Sequence, residues 1–156
     1  GIREPDENFI GMDFYHKGIR KVISRIEKYQ VNNVRIVYGD AKEKIPLLFN
    51  DQELSRVYIN FPDPWPKKRH HKRRLIKPAF IKTLSEKLKP GGEIHIATDF
   101  ESYALEILEF FEKELTLKNK NGSGTFLPQK EGIPKTKYEK KFINAGERIF
   151  YLEFAK

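Results

Sequence analysis

Short apolar runs closed by a carboxylate alternate along the chain with longer stretches whose apolar residues recur every three or four positions. Asn8 to Met12 is the first run; it is closed by Asp13 and predicts a buried strand. Ile19, Val22, Ile23, Ile26 and Tyr29 then repeat at helical spacing and predict an amphipathic helix. Val34 to Tyr38 is a β-branched strand ending at Gly39-Asp40, Asp51 to Ser55 reads as a loop, and Arg56 to Phe61 reads as the next strand. Lys77 to Leu88 carries Phe80, Ile81, Leu84 and Leu88 on one helical face, and Pro90-Gly91-Gly92 predicts a helix stop followed by a turn. Glu93 to Thr98 predicts a strand ending at Asp99. Tyr103 to Leu115 predicts a helix with Ile107, Leu108, Phe111 and Leu115 as its stripe. Lys118 to Lys137, rich in Gly, Pro and Lys, predicts a mobile loop, and Arg148 to Phe154 a closing strand.

Strands alternating with helices predict βαβ units, a mostly parallel sheet and a Rossmann-like α/β fold. Parallel strands bring their carboxyl ends to one edge. Asp13, Asp40, Asp63 and Asp99 are therefore expected to line one cleft, as a nucleotide-type cofactor site requires. The length of 156 residues predicts a single domain spanning 1–156. A net charge of +8 favours a polyanionic partner. The absence of cysteine excludes disulfides, thiolate metal sites and a cysteine nucleophile, and suits a cytoplasmic location. No run of apolar residues reaches membrane-spanning length, so no membrane partner is expected. The chain opens on Gly1 and its sole methionine is Met12, which predicts a fragment.

The densest chemistry lies between Asn60 and Leu75, which read Asn-Phe-Pro-Asp-Pro-Trp-Pro-Lys-Lys-Arg-His-His-Lys-Arg-Arg-Leu. A strand delivers Asp63 between two prolines, so its backbone is nearly fixed and its carboxylate is held rather than free to swing. The cations behind it form either a solvated face or a phosphate-binding run. Trp65 is either a stacking platform for a base or a core residue. His70 and His71, adjacent and surrounded by cations, make poor metal ligands; no metal is expected. Asp13 fits a ribose contact or a helix cap, and Asp40 a contact to an adenine amine or a turn. Asp99 reads as a helix cap, and Thr136 with Glu139 matches a Thr-x-x-Glu capping box.

Asn60 to Arg74 closely resembles the signature run of the bacterial tRNA (guanine-N7)-methyltransferases of the TrmB family. Phe9-Ile10-Gly11-Met12-Asp13, Glu93 to Asp99, and Thr136-Lys137-Tyr138-Glu139-Lys140-Lys141-Phe142 resemble further family stretches in the same order. The resemblance implies a class I methyltransferase with a mostly parallel sheet and an antiparallel C-terminal strand. It implies methylation of N7 of guanosine 46 in the tRNA variable loop, with S-adenosyl-L-methionine as donor. Asp13, Asp40 and Asp63 would then contact the cofactor, with Asp63 also catalytic. Lys67, Asp99, Thr136, Lys137, Tyr138 and Glu139 would bind substrate, and Arg69, His70, His71, Lys72, Arg73 and Arg74 would hold RNA. The family's Gly-rich cofactor loop lies upstream of Asp13, and residues 1 to 12 contain none, so the expected domain is N-terminally truncated. A monomer or homodimer is expected. Two other readings stand beside this one: a non-catalytic RNA-binding fragment, and a methyltransferase acting on another base or amino nitrogen.

Overall fold

The structure, a computed structural model, describes residues 4–128 and 135–156. They group into two compact units, one ending at Leu48 and the other beginning at Phe49.

In the first unit, β1 (Phe9–Asp13) is followed by α1 (His16–Lys28), β2 (Val34–Tyr38) and α2 (Ala41–Leu48). The two strands pair in parallel, with Phe9 opposite Val34 and Asp13 opposite Tyr38, so both carboxyl ends share one edge. The sequence pattern does not show α2, because Pro46 inside it reads as a helix stop. Asp40 starts this helix: its Oδ1 accepts a hydrogen bond from the Lys42 backbone N–H at 2.9 Å.

The second unit contains β3 (Leu54–Asn60), α3 (Pro78–Lys87), β4 (Leu88–Thr98), α4 (Glu101–Glu112), β5 (Lys118–Asn119), α5 (Lys137–Asn144) and β6 (Phe150–Ala155). The strand order is β3-β4-β6-β5, with β3 parallel to β4 and β6 antiparallel to both of its neighbours. Ile94, Ile96, Leu152 and Phe154 of the sheet are buried with Leu84 of α3 and Tyr103, Ile107 and Phe111 of α4. Phe111 and Phe154 stack at 4.5 Å between centroids. This core fixes the edge at which β3 and β4 end.

Three local expectations change. Pro90-Gly91-Gly92 stops α3 but makes no turn, because β4 runs through it as an irregular strand start. Pairing steps from Leu54–Leu88 to Arg56–Glu93, so β4 carries the extra residues. Gly91 takes φ +76° there. The Gly91 N–H donates to the Lys156 carbonyl at 2.9 Å, and the Lys156 N–H to the Gly92 carbonyl at 3.0 Å. Leu115 is 93% exposed, since α4 ends at Glu112 before the stripe reaches it. The expected loop from Lys118 to Lys137 contains β5, a bridge from Leu127 to Tyr151 and the first residue of α5. Residues 129–134 of that loop lie outside the described residues. Among the described residues, no helix is long and apolar enough to cross a membrane.

Candidate active site and its basic turn

The loop after β3 begins with one more rung of the ladder, where the Phe61 N–H donates to the Ala97 carbonyl at 2.8 Å. The chain then turns sharply. Phe61 and Trp65 take φ +50° and +45°, conformations that cost non-glycine residues about 1–3 kcal/mol each and cluster at functional sites. Pro62, Pro64 and Pro66 restrict the residues between them. The Phe61 ring is covered by α5, at 6.2 Å from the ring of Tyr138 and 5.5 Å from that of Phe142. Asp63 stands exposed at the apex of this constrained turn.

Lys68–Arg73 forms a 3-10 helix. Side chains three apart eclipse one another in such a helix, and this sorts the cationic run into distinct faces. His70 and Arg73 turn toward Trp65: Arg73 lies over its ring at 5.0 Å and His70 meets it edge-on at 5.8 Å. Trp65 is thus half-buried and packed by its own loop. Arg69 and Lys72 are exposed, as are Lys67 and Lys68. His71 and Arg74 point inward, and the Arg74 Nη2 donates to His71 Nε2 at 3.1 Å.

Arg74 corrects an expectation. Placed by the family resemblance among the RNA-holding cations, it is 1% exposed. Its Nε donates to the Pro64 carbonyl at 2.7 Å, its Nη1 pairs with Glu106, and its guanidinium lies over the Tyr103 ring at 4.6 Å. A cation so enclosed has no face left for a phosphate. Glu106 also pairs with Lys77. Nothing in the sequence marks Glu106 or Tyr103 as more than an ordinary helix residue. Burial pushes the Tyr103 hydroxyl up to about 12; the charges of Glu106 and Asp63 add to this, while the Ile76 N–H and Arg74 oppose it.

The capping box at Thr136 is formed. The Glu139 N–H donates to Thr136 Oγ1 at 3.1 Å, and the Thr136 N–H donates to Glu139 Oε2 at 2.5 Å. Glu139 is fully buried, and its Oε1 has no hydrogen-bond partner among the described residues. Tyr151 is pushed up to about 12, by burial first and then by the Glu139 carboxylate. The sequence does not single out Tyr151, because it sits in an apolar strand. Lys137 and Tyr138 are exposed on the first turn of α5. Asp99 is exposed just past the end of β4 and does not cap α4, whose N-cap is Phe100. With Asn60 opposite Ala97, the Asp63 loop and Asp99 leave the same edge of the second unit. The ring contacts of Phe61 bring α5 to that edge.

In the first unit, Asp13 is exposed and its Oδ1 accepts from the Tyr15 N–H at 2.9 Å, a local turn rather than a cap, since Tyr15 holds the N-cap position of α1. Asp40 caps α2, and its Oδ2 lies 3.5 Å from Lys42 Nζ. The two carboxylates end neighbouring parallel strands. Each retains acceptor capacity, which suits the hydroxyls and amine of a nucleoside.

One other cluster stands apart from these residues. Glu93, His95 and Glu153 hold potential ligand atoms within 4.8 Å of one another. Lys120 already pairs with both carboxylates. Its hydrogen bond holds Glu93 below the usual carboxylate range. An ammonium therefore fills the cation's role in this cluster.

Solved structures share the fold. A precorrin-6y C5,15-methyltransferase from Geobacter metallireducens matches 97% of this chain and 70% of its own with a TM-score of 0.63 at 14% identity. An rRNA methylase from Streptococcus thermophilus matches 96% and 73% with a TM-score of 0.61 at 11% identity. The topology defines the class: a Rossmann-like α/β fold. Residues 1–152 match the family described as "Putative methyltransferase". The chain belongs to that family, in line with its resemblance to the TrmB enzymes. The tRNA (guanine-N(7)-)-methyltransferases of Idiomarina loihiensis and Buchnera aphidicola are 41% and 44% identical to it over 150 residues, or 96% of this chain. The chain spans 61% and 63% of the length of those two relatives.

Proposed function

We propose that this chain carries the site with which its protein transfers a methyl group from S-adenosylmethionine to N7 of a guanosine in tRNA, guanosine 46 of the variable loop. One observation carries the reading: Asp63 stands on a proline-held loop strained at Phe61 and Trp65, directly before a cationic turn and packed through Phe61 against α5. The names of the curated relatives support the same chemistry.

S-adenosylmethionine supplies a methyl group on a sulfonium when bound. Asp13 and Asp40 fit its ribose and adenine as acceptors at strand ends. Guanine N7 carries a lone pair and no proton, so no side chain need act as a general base. What the residues must do is orient the base and answer the positive charge that the purine gains. Asp63, held by its flanking prolines, supplies a fixed negative charge for that purpose. Asp99, exposed past the end of β4, accepts from the N–H edge of the guanine, while buried Glu139 holds the start of α5 through the Thr136 cap. Lys67, Thr136, Lys137 and Tyr138 complete the contacts to the nucleotide. Arg69, Lys72 and Arg73, with His70 and His71 behind them, hold the RNA backbone.

The test is transfer of labelled methyl to unmodified tRNA beside a tRNA whose position-46 guanosine is replaced. Label should enter only the first, and Asp63→Ala should abolish it while tRNA affinity stays within about twofold, because the exposed cations rather than Asp63 hold the backbone. Label in both tRNAs would move the target elsewhere. Wild-type turnover in Asp63→Ala would remove its role.

A further inference from the structure

We propose that Arg74 is a positioning residue for methyl transfer: it fixes the Asp63 loop through the Pro64 carbonyl instead of contacting RNA. The proposal rests on the reading of Asp63 as the catalytic carboxylate.

Arginine is among the residues least often buried, and it is enclosed only where it is paired. Here all three guanidinium nitrogens are used, toward Pro64, Glu106 and His71, with the Tyr103 ring across one face. Two of these partners belong to α4. Tyr103 and Glu106 lie three residues apart and so face the same way along the helix. Tyr103, Ile107 and Phe111 of that helix are 0% exposed. Arg74 is therefore tied to the core, and through its Nε so is the loop.

The tie is placed where it matters. Asp63 is bracketed by two backbone anchors, the Phe61 N–H on the Ala97 carbonyl and the Pro64 carbonyl on Arg74. Between them, Pro62 and Pro64 have fixed φ. Left-handed Phe61 and Trp65 lie at and just beyond these anchors. Strained conformations persist only where their surroundings over-determine them. The Arg74 fork supplies that constraint on the Trp65 side. Lysine cannot replace it, since a single ammonium does not reproduce three donors in a fixed plane.

Trp65 is the only tryptophan of this chain and lies in this loop, so the part of the fluorescence that Trp65→Phe removes reports loop order without reference to activity. In the full-length protein, Arg74→Lys keeps the charge and removes the fork. The expected result is about twofold greater quenching of Trp65 by acrylamide and a kcat lowered by about 10²-fold, the scale of an ångström's misplacement. The KM for tRNA should stay within about twofold, and the salt dependence of tRNA binding should be unchanged. Lys72→Gln is the contrast: its salt slope should fall by roughly 0.7–0.9 with Trp65 quenching unmoved. If Arg74→Lys does not melt cooperatively, Glu106→Gln is read in its place for the same quenching and kcat signature. Unchanged kcat in a folded variant would overturn the proposal. So would a salt slope that falls in Arg74→Gln as it does in Lys72→Gln. Failure of the Asp63 reading shows itself separately, as wild-type turnover in Asp63→Ala.

Discussion

The hydroxyl of Tyr103 accepts a hydrogen bond from the Ile76 backbone N–H at 3.0 Å, while its ring lies under Arg74. Burial raises this hydroxyl to about 12, and Tyr151, burial again first and Glu139 next, also reaches about 12. Tyrosine in an unfolded chain titrates at about pH 10. Above that pH the unfolded chain releases protons that the folded chain keeps, so stability is fully present below about pH 10 and is lost as pH rises toward 12. An alkaline unfolding limb in that window is expected, followed by circular dichroism at graded pH. Tyr103→Phe should flatten it. The same variant should cost about 1–3 kcal/mol at neutral pH, because the Ile76 N–H loses its acceptor. At this scale the sequence displayed Asp63, whose prolines announce themselves, and concealed the role of Arg74. One cation in a run of cations carries no mark of the direction in which it points.

At the scale of elements, the 3-10 helix and the start of β4 do what single residues cannot. Three-fold eclipsing divides Lys68–Arg73 into a face toward Trp65, an outward face and an inward one. The start of β4 absorbs its extra residues at Pro90-Gly91-Gly92. A Cβ on Gly92 would lie 2.4 Å from Leu88 Cδ2 and 2.9 Å from the Lys89 carbonyl oxygen. Leu88 is fully buried and the carbonyl is backbone, so neither can yield cheaply. Gly92→Ala should destabilise by about 1–3 kcal/mol, read as a lower urea midpoint at unchanged m-value. The longer strands and the longer helices were legible from periodicity, because alternation and three-to-four spacing survive any packing. The run through Gly91-Gly92 was not, since the same residues serve a turn or a bulge. Which of the two forms depends on the partner strand, here the Leu54-to-Arg56 stretch of β3. Likewise α2 hid behind Pro46, which lies inside the helix that Asp40 caps.

For the whole molecule, the excess of +8 matters as a field that draws a polyanion, and only exposed cations contribute to it at close range. Removing Arg69, Lys72 and Arg73 together should reduce the salt slope of tRNA binding by roughly 2–3, at about 0.7–0.9 for each phosphate no longer neutralised. Binding measured across a salt series checks this, and an unchanged slope would assign these cations to solvent. The sequence alone determined the βαβ order, the strand ends that carry Asp13, Asp40, Asp63 and Asp99, and the capping box at Thr136. These follow from local chemistry: apolar spacing, proline rigidity and the preference of Thr and Glu for a helix start. Tertiary structure alone decided that Arg74 is an internal anchor and that Glu139 is buried near Tyr151. It also decided that Trp65 packs against its own turn. Each depends on which surface a side chain meets across dozens of residues of sequence, a matter settled by the packing of α4, α5 and the sheet.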